Sequence, residues 1–296
     1  MSRFTLFRSR FRLVIALLAA WCAIGAGSVM YAGSASATTS PSRAMWVWSK
    51  ASPTDVVSFA QSHGVSQMFV AVPWNVANSS DLPRLRQLSA AARAVGIRVD
   101  ALGGDPSWTT NPSAAVTWER GAIATRLFTG VHVDIEPYAL SGWSNPSTQA
   151  SLVTSYLSTL SSMRSTAAAS GMPLEADVPF WYNTIATGST TLADGVLARV
   201  DAVTVMSYRN TATGPNSITD IGSDMIARGA AAGVPVRLAA ETNPLSDCPS
   251  CTFAGTSAAT LNAALAAVDA AEAGSSSYVG MAVEDYDGWR ALPATS

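Results

Sequence analysis

Three ionisable side chains alternate with apolar ones in the stretch from Val131 to Glu136. Successive side chains of a β-strand point to opposite faces, so His132, Asp134 and Glu136 would share one face. Burying three such groups is costly, which indicates that they have a catalytic purpose. A carboxyl group close to a second carboxyl group has a raised pKa, as suits a general acid working near neutral pH. We therefore predict that Glu136 is a general acid and that Asp134 raises its pKa and can share its proton.

His132 has two interpretations on this strand. It either orients Asp134 or is a hydrogen-bonded histidine of the core, and the core role is favoured. A purely structural hydrogen-bond network is the alternative for the strand as a whole. A divalent metal site built from these residues and Glu241 is not predicted, because such sites usually use two histidines or clustered aspartates.

A second carboxylate, Glu241, ends another apolar segment later in the chain. The sequence Ile135-Glu136-Pro137 partly resembles the Asn-Glu-Pro motif of the retaining glycosidases of clan A, with isoleucine in place of asparagine. That resemblance implies an acid/base at the end of the fourth strand and a nucleophile, here Glu241, at the end of the seventh. Two such carboxyl groups could approach the separation of ~5–5.5 Å that a retaining double displacement needs. Anchoring of a loop is the alternative role for Glu241.

Other polar and aromatic side chains also follow the apolar segments, whereas fewer such side chains occur where these segments start. Tryptophan rings suit the flat apolar faces of sugars, although packing in the core is the commoner use of any one tryptophan. Glu284 and Asp285 are interpreted as binders of sugar hydroxyls or as local hydrogen-bonding groups. The predicted substrate-binding residues are Trp48, Trp74, Trp181, Arg209, Asn243, Glu284 and Tyr286.

Eight short apolar segments rich in β-branched residues would carry these side chains, and Ala-rich helical stretches separate them. The predicted strands are Met45–Trp48, Gln67–Pro73, Arg98–Leu102, Gly130–Glu136, Leu174–Pro179, Ala202–Tyr208, Val236–Glu241 and Tyr278–Glu284. Helices are predicted over Leu82–Val95, Thr148–Ala169 and Ser257–Ala273, among others. The active site of a barrel of such units lies at the carboxyl ends of its strands.

A glycine closes several of the helical stretches just before the next strand, where a left-handed residue ends a helix. These glycines are Gly64, Gly96, Gly171 and Gly233. The repeated pattern predicts an α/β fold, a single-domain (β/α)8 TIM barrel over residues 38–296. A doubly wound open sheet is the alternative. It would need a Gly-rich phosphate loop after the first strand, and the sequence there is Trp48-Ser49-Lys50-Ala51.

The stretch from Thr129 to Glu136 resembles the fourth-strand motif D-G-x-D-x-D-x-E of glycoside hydrolase family 18, the chitinase-like barrels. It departs from this motif at Thr129 and His132, where the family has aspartates. Met206-Ser207-Tyr208-Arg209 resembles the family's M-x-Y-D motif, with arginine as its last residue. The resemblance implies that Glu136 is the proton donor. It also implies that Asp134 orients the substrate's N-acetyl group, the attacking nucleophile, and that Tyr208 hydrogen-bonds this group.

The first 37 residues are predicted to be a cleaved secretory signal peptide. Four arginines precede an apolar run from Leu13 to about Ile24, and Ala35-Ser36-Ala37 forms a cleavage site. An uncleaved N-terminal anchor is the alternative. We expect a secreted protein, free of the membrane after signal cleavage, that acts as a monomer.

Composition excludes several classes of partner and chemistry. The formal net charge is −2 and lysine occurs once, so nucleic acid and anionic membranes are not expected partners. Cys248 and Cys251 are predicted to form a small disulfide loop in an oxidising compartment. A redox motif or a zinc site is less consistent with their position and with two distant histidines. The absence of G-x-S-x-G argues against a serine hydrolase of the α/β-hydrolase type, and no cofactor is predicted.

The function predicted from these residues is that of a secreted glycoside hydrolase acting on a polysaccharide or an aminosugar glycan. Two alternatives remain, a non-catalytic carbohydrate-binding barrel of the chitinase-like kind and a surface-associated barrel without a sugar ligand. Glu136 favours the enzyme, because the proton donor is the residue that such binding proteins typically lose. Whether the nucleophile is Glu241 or the substrate's N-acetyl group stays open at this point.

Overall fold

A computed structural model describes residues 41–295, and the predicted signal peptide lies outside them. Eight parallel strands follow one another in chain order around a closed barrel, and the last strand pairs with the first. The strands are β1 (Ser42–Val47), β2 (Val65–Ala71), β3 (Arg98–Gly103), β4 (Gly130–Val133), β5 (Leu174–Pro179), β6 (Ala202–Met206), β7 (Val236–Glu241) and β8 (Tyr278–Glu284). The predicted (β/α)8 barrel is confirmed, and the open-sheet alternative is wrong.

One helix on the outside of the barrel follows each strand. They are α1 (Pro53–Ser62), α2 (Leu82–Ala94), α3 (Pro112–Ala124), α4 (Pro146–Ala168), α5 (Leu192–Leu197), α6 (Ile218–Ala232), α7 (Ala258–Ala271) and α8 (Tyr286–Ala291). A short hairpin, Ala186–Thr187 with Thr190–Thr191, precedes α5. Side-chain oxygens of Asn111, Asn145 and Ser217 accept hydrogen bonds from the first turns of α3, α4 and α6, which explains where these helices begin. Within residues 41–295, none of the helices is long and apolar enough to span a membrane.

The predicted glycine positions are confirmed. Gly64, Gly96, Gly171 and Gly233 have φ angles of 66°, 76°, 68° and 68°. A residue with a Cβ atom rarely adopts this left-handed backbone conformation. Glycine therefore ends each helix and turns the chain towards the next strand.

Two cores form on the two faces of the strands. The larger core lies between strands and helices and includes Val131, Val133 and Ile135, as the alternation in the fourth strand predicts. The smaller core fills the barrel itself with residues that are nearly all inaccessible to solvent, namely Ala44, Trp46, Phe69, Leu102, Ala239 and Ala282. Large rings from β1 and β2 therefore face small alanines from β7 and β8, and the interior closes without a channel.

A polar layer lies inside the barrel at the amino ends of the strands. Arg237 lies with its Nε 3.6 Å from Glu175 Oε1 and donates to Gln67 Oε1 at 2.8 Å. Gln67 in turn donates to Asp100 Oδ2 at 2.6 Å. Sequence analysis did not identify this layer. The layer links strands on opposite sides of the barrel. It lies at the amino ends of the strands, whereas the catalytic residues are predicted at the carboxyl ends.

Glu119 of α3 is fully buried, and neither of its carboxylate oxygens has a hydrogen-bond partner within the described residues. Burial raises the pKa of Glu119 to about 8. The folded protein therefore binds this proton more tightly than the unfolded chain, and stability falls as pH rises from about 4.5 to 8. The loss is on the order of several kcal/mol.

Replacing Glu119 by glutamine is expected to remove this pH dependence. Thermal melting should show similar midpoints for the two proteins at pH 5, and a midpoint higher by roughly 5–10 °C for Glu119→Gln at pH 9. Glu272→Gln is the matched control, because Glu272 accepts a hydrogen bond from Ser275 that glutamine can retain. An equal gain at both pH values would show that ionisation of Glu119 is not the cause.

Candidate active site

Asp134 lies just beyond the end of β4, where β3 and β4 come very close together. Its backbone N–H donates to the carbonyl of Gly103 at 3.0 Å. A Cβ atom at Gly104 would lie only 1.8 Å from the carbonyl oxygen of Asp134, so only glycine permits this approach. Among the described residues, Asp134 Oδ1 is buried without a hydrogen-bond partner. Burial, together with the neighbouring Asp177, Glu136 and Glu284 carboxylates, raises the pKa of Asp134 to about 9.

Glu136 follows where the chain leaves the strand. β4 is shorter than predicted, since Glu136 precedes a short 3-10 helix, Pro137–Ala139, and a proline has no N–H with which to extend the ladder. The side chain of Glu136 is half-buried and accepts a hydrogen bond from the hydroxyl of Tyr138. Sequence analysis missed Tyr138, although it lies two residues after Glu136. Glu136 is thus a hydrogen-bonded carboxyl with access to solvent, as a proton donor requires.

His132 is a residue of the barrel core. It is fully buried, its ring stacks on Phe69 with centroids 3.6 Å apart, and its Nε2 lies 2.9 Å from Asp177 Oδ1. Burial lowers the pKa of His132, but the carboxylates of Asp177, Glu175 and Asp100 together outweigh burial, so the net pKa is raised. The partner of His132 is therefore Asp177 of β5, which also accepts from Trp46 Nε1 at 3.1 Å. Sequence analysis did not single out Asp177.

Glu241 ends β7 and is buried at the base of the following loop. Its Oε1 accepts from the backbone N–H groups of Thr242 at 2.7 Å and Asn243 at 2.6 Å, and from Asn243 Nδ2 at 3.0 Å. Burial raises the pKa of Glu241, and these hydrogen bonds oppose the rise. The Asn243 side chain also donates to Asp285 Oδ1 at 3.3 Å. These contacts tie Glu241 to the following loop and fix its carboxylate in one orientation, and its catalytic role stays a prediction.

Glu284 and Tyr208 form a pair at the barrel mouth, meaning the opening at the carboxyl ends of the strands. The hydroxyl of Tyr208, just after β6, donates to Glu284 Oε2, and Trp48 Nε1 donates to Glu284 Oε1 at 3.2 Å. Burial, and then the nearby Glu241 carboxylate, raise the pKa of Glu284 to about 8. The resemblance to the chitinase-like family assigns Tyr208 to the substrate's N-acetyl group. In this structure the Tyr208 hydroxyl instead donates its proton to Glu284.

Aromatic rings lie on both sides of these carboxyl groups. Trp48 and Trp74 are 40% and 54% exposed, and together with Trp108 they line a cleft of about 240 Å³ after β1, β2 and β3. On the other side, Trp181 lies edge-on to Tyr138 with ring centroids 5.3 Å apart. Large exposed apolar surfaces of this kind mark ligand-binding sites. Sequence analysis identified Trp48, Trp74 and Trp181 but not Trp108 or Tyr138.

Two predicted substrate-binding residues have protein contacts instead. The ring of Tyr286 is fully buried in the outer core and packs edge-on against Phe59 at 5.3 Å. The predicted substrate contact of Tyr286 is therefore wrong, because a fully buried ring offers no face to a ligand. Arg209 donates to Asn216 Oδ1 at 3.0 Å and to the carbonyl of Tyr208 at 2.6 Å. The contact of Arg209 with substrate stays a prediction, and most of its guanidinium already forms hydrogen bonds within the protein.

The predicted disulfide joins Cys248 and Cys251 in the loop after β7. Arg209 Nη1 lies 3.4 Å from Cys251 Sγ, so the small disulfide loop contacts the chain that follows β6. Among residues 41–295, no group of three or more histidine, cysteine, aspartate or glutamate side chains is arranged to hold a metal ion.

We expect this disulfide to contribute little to global stability. A closed loop this short constrains the unfolded chain by about 2 kcal/mol at most. The double variant Cys248→Ser/Cys251→Ser should melt within a few degrees of the parent, and mass spectrometry of the parent should find no free thiols. Two free thiols, or a large drop in melting temperature, would contradict this.

Solved structures with the same architecture include chitinase-like barrels. A chitinase from Chromobacterium violaceum aligns with a TM-score of 0.54 at 13% identity, over 84% of this chain and 97% of that chain. The spore cortex-lytic enzyme SleL of Bacillus cereus aligns with a TM-score of 0.53 at 9% identity, over 84% and 73% of the two chains. Neither a family model nor a curated protein sequence matches the chain. The chain therefore has the fold of the chitinase-like (β/α)8 barrels.

Proposed function

We propose that this protein is a secreted glycosidase that cleaves a polysaccharide or an aminosugar glycan with Glu136 as general acid/base. The observation that carries the proposal is the grouping of Asp134, Glu136, Glu241 and Glu284 at the barrel mouth between exposed tryptophans. Paired carboxyl groups are the catalytic equipment of most glycosidases, and tryptophan faces bind sugar rings. The chitinase-like fold is consistent with this chemistry, and secretion rests on the N-terminal sequence.

The proposed mechanism is a retaining double displacement. Glu136 donates its proton to the glycosidic oxygen while a Glu241 oxygen attacks the anomeric carbon and the bond to the leaving group breaks. Glu136, now a carboxylate, then removes a proton from water, which displaces Glu241 and restores both residues.

Attack by a substrate N-acetyl group is the competing mechanism, and one contact argues against it. Stabilising that group needs a free donor, and the Tyr208 hydroxyl already donates to Glu284. Departure from the chitinase motif at His132 points the same way, because His132 is paired with Asp177 and is buried below the mouth.

The function is tested by screening the purified protein on chitin, peptidoglycan, β-glucans, galactosaminoglycans and arabinogalactan, with mass analysis of the products. We expect the wild-type protein to release new reducing ends from at least one of these glycans. The variant Glu136→Gln should lose this activity. Tight binding of a glycan with no product would instead support a non-catalytic carbohydrate-binding barrel. An absence of both binding and products would refute a sugar function.

A further inference from the structure

Accessible aromatic rings lie on both flanks of Glu136 in the circular order of the barrel. Glu136 follows β4, which pairs with β3 on one side and with β5 on the other. Trp48 and Trp74 line the cleft that follows β1, β2 and β3, hereafter the Trp74 cleft. Trp181 comes directly after β5. A ligand lying over Glu136 would therefore meet aromatic rings in both directions.

The Trp74 cleft adjoins the carboxyl groups of the mouth at two points. Trp48, which lines the cleft, donates through Nε1 to Glu284 Oε1 at 3.2 Å. Gly103, another lining residue, accepts from the backbone N–H of Asp134 at 3.0 Å. A ligand in the cleft would therefore lie next to Asp134 and Glu284.

The Trp74 cleft is too small to enclose a whole ligand. Its volume of about 240 Å³ lies below the ~300–1,000 Å³ of pockets that enclose a small molecule. Trp74 is 54% exposed, and its ring lies beside the buried ring of Trp108 with centroids 6.5 Å apart. The cleft therefore suits one part of a longer ligand, and Trp74 offers that part a supported apolar surface.

The β5 flank contacts Glu136 through Tyr138. The Tyr138 hydroxyl donates to Glu136 Oε1, and the Tyr138 ring lies edge-on to Trp181 with centroids 5.3 Å apart. Trp143 packs edge-on against both rings, at 6.5 Å from Tyr138 and 6.2 Å from Trp181. Trp181 is only half-buried, so neighbouring rings hold it in place while part of it stays accessible. This second aromatic group therefore lies immediately beside the proposed proton donor.

A sugar chain has the chemistry that both flanks would recognise. Sugar rings have apolar faces, which tryptophan rings bind, and hydroxyl groups, which donate to carboxylates. We infer that the mouth binds a glycan chain of several sugar units that lies across Glu136, from the Trp74 cleft to Trp181, and that the bond cleaved is internal to this chain. A single terminal sugar would occupy one flank and leave the rings of the other without a ligand. The inference rests on the proposed glycosidase function and names its substrate as a polymer that is cut in an endo manner.

The test is isothermal titration calorimetry of Glu136→Gln, in which the ligand should stay intact, with hexasaccharides and disaccharides prepared from the five glycans named above. We expect at least one hexasaccharide to bind about 10-fold or more tightly than its disaccharide, because only the longer chain reaches both flanks. In this background, Trp74→Ala and Trp181→Ala should each weaken hexasaccharide binding by about 3–10-fold, the usual worth of one aromatic contact. At most one of them should affect the disaccharide.

Trp74→Phe and Trp181→Phe are the matched controls, since each keeps an aromatic ring at its position. They should retain most of the affinity for the hexasaccharide. Trp181 also supports Tyr138, so the phenylalanine variant separates loss of a ligand contact from loss of that support. The comparison of hexasaccharide with disaccharide needs no tryptophan variant and tests the inference even if Trp181→Ala fails to fold.

Equal affinity for hexasaccharide and disaccharide overturns the inference, as does an unchanged hexasaccharide affinity in either alanine variant. Failure of every hexasaccharide to bind also overturns it. Release by the wild-type protein of sugars from chain ends alone would refute internal cleavage and leave the proposed glycosidase function standing. Binding across both flanks without any hydrolysis by the wild-type protein would refute the proposed function and support only the inferred binding of a chain.

Discussion

Glu136→Gln is expected to lower the rate of glycan hydrolysis by ~10²–10⁴-fold, the usual worth of general acid catalysis. Glutamine has the same shape but no proton of suitable acidity to give to the glycosidic oxygen. Folding should be unchanged, because the amide oxygen can still accept the hydrogen bond from Tyr138. The effect should therefore appear in kcat on an unactivated substrate, while the melting temperature stays within about 1–2 °C of the parent.

Glu272→Gln serves as the control for Glu136→Gln, since it makes the same chemical change at the end of α7. A substrate with a good leaving group gives a second check, because cleavage of such a bond needs less help from a general acid. The loss in Glu136→Gln should be smaller on that substrate. Full activity of Glu136→Gln on unactivated glycan would show that the site is wrongly assigned.

Glu241→Ala is expected to reduce hydrolysis by at least about 10³-fold, in the range seen when a catalytic nucleophile is removed. Added azide or formate should restore part of the rate by entering the space left by the carboxylate and attacking the anomeric carbon. Trapping the wild-type protein with a slow substrate should yield a covalent glycosyl-enzyme at Glu241, seen as a mass increase on the peptide that contains it.

Loosening of the loop after β7 could also lower the activity of Glu241→Ala, because Glu241 anchors that loop. Thr252→Val is the matched control. It removes the hydroxyl that donates to the Asn243 carbonyl at 2.7 Å and leaves the Glu241 carboxylate in place. If the loop alone were the cause, Thr252→Val would lose activity to a similar degree and azide would rescue neither variant.

The competing mechanism predicts a different pattern. With attack by a substrate N-acetyl group, no adduct would form, a thiazoline analogue would inhibit, and Asp134→Asn would lose as much activity as Glu136→Gln. An inactive Glu136→Gln together with a fully active Glu241→Ala would refute the carboxylate pair. Glu136 has the same role under both mechanisms, so its variant tests the glycosidase proposal by itself.

Local patterns in the sequence determined the barrel and the position of Glu136. Alternation of side chains is a property of a single strand, so the inward position of His132 and the outward position of Val131, Val133 and Ile135 could be predicted without knowing any partner. Helix ends before Gly64 and Gly233 follow equally from local backbone geometry. Strand order followed because short connections between parallel strands leave few topologies.

Where the chain leaves a regular element, the same reasoning failed. Continued alternation beyond β8 would direct Tyr286 into the mouth. The structure instead begins α8 at this residue, with the Asp285 side chain accepting from Gly288 N–H, and the ring turns into the outer core. β4 likewise ends at Val133, before Asp134, and the chain enters a short 3-10 helix at Pro137.

Only the closed tertiary structure decided which ionisable groups meet. Trp48 and Glu284 are 236 residues apart in the chain and touch because β1 pairs with β8. Asp177 reaches His132 from the neighbouring strand β5, and Tyr208, just after β6, reaches Glu284 of β8 past the intervening β7. A pKa depends on burial and on charges within a few ångströms, and both are set by contacts between distant parts of the chain. The sequence therefore determined which residues could do chemistry, and the fold decided their partners and their protonation.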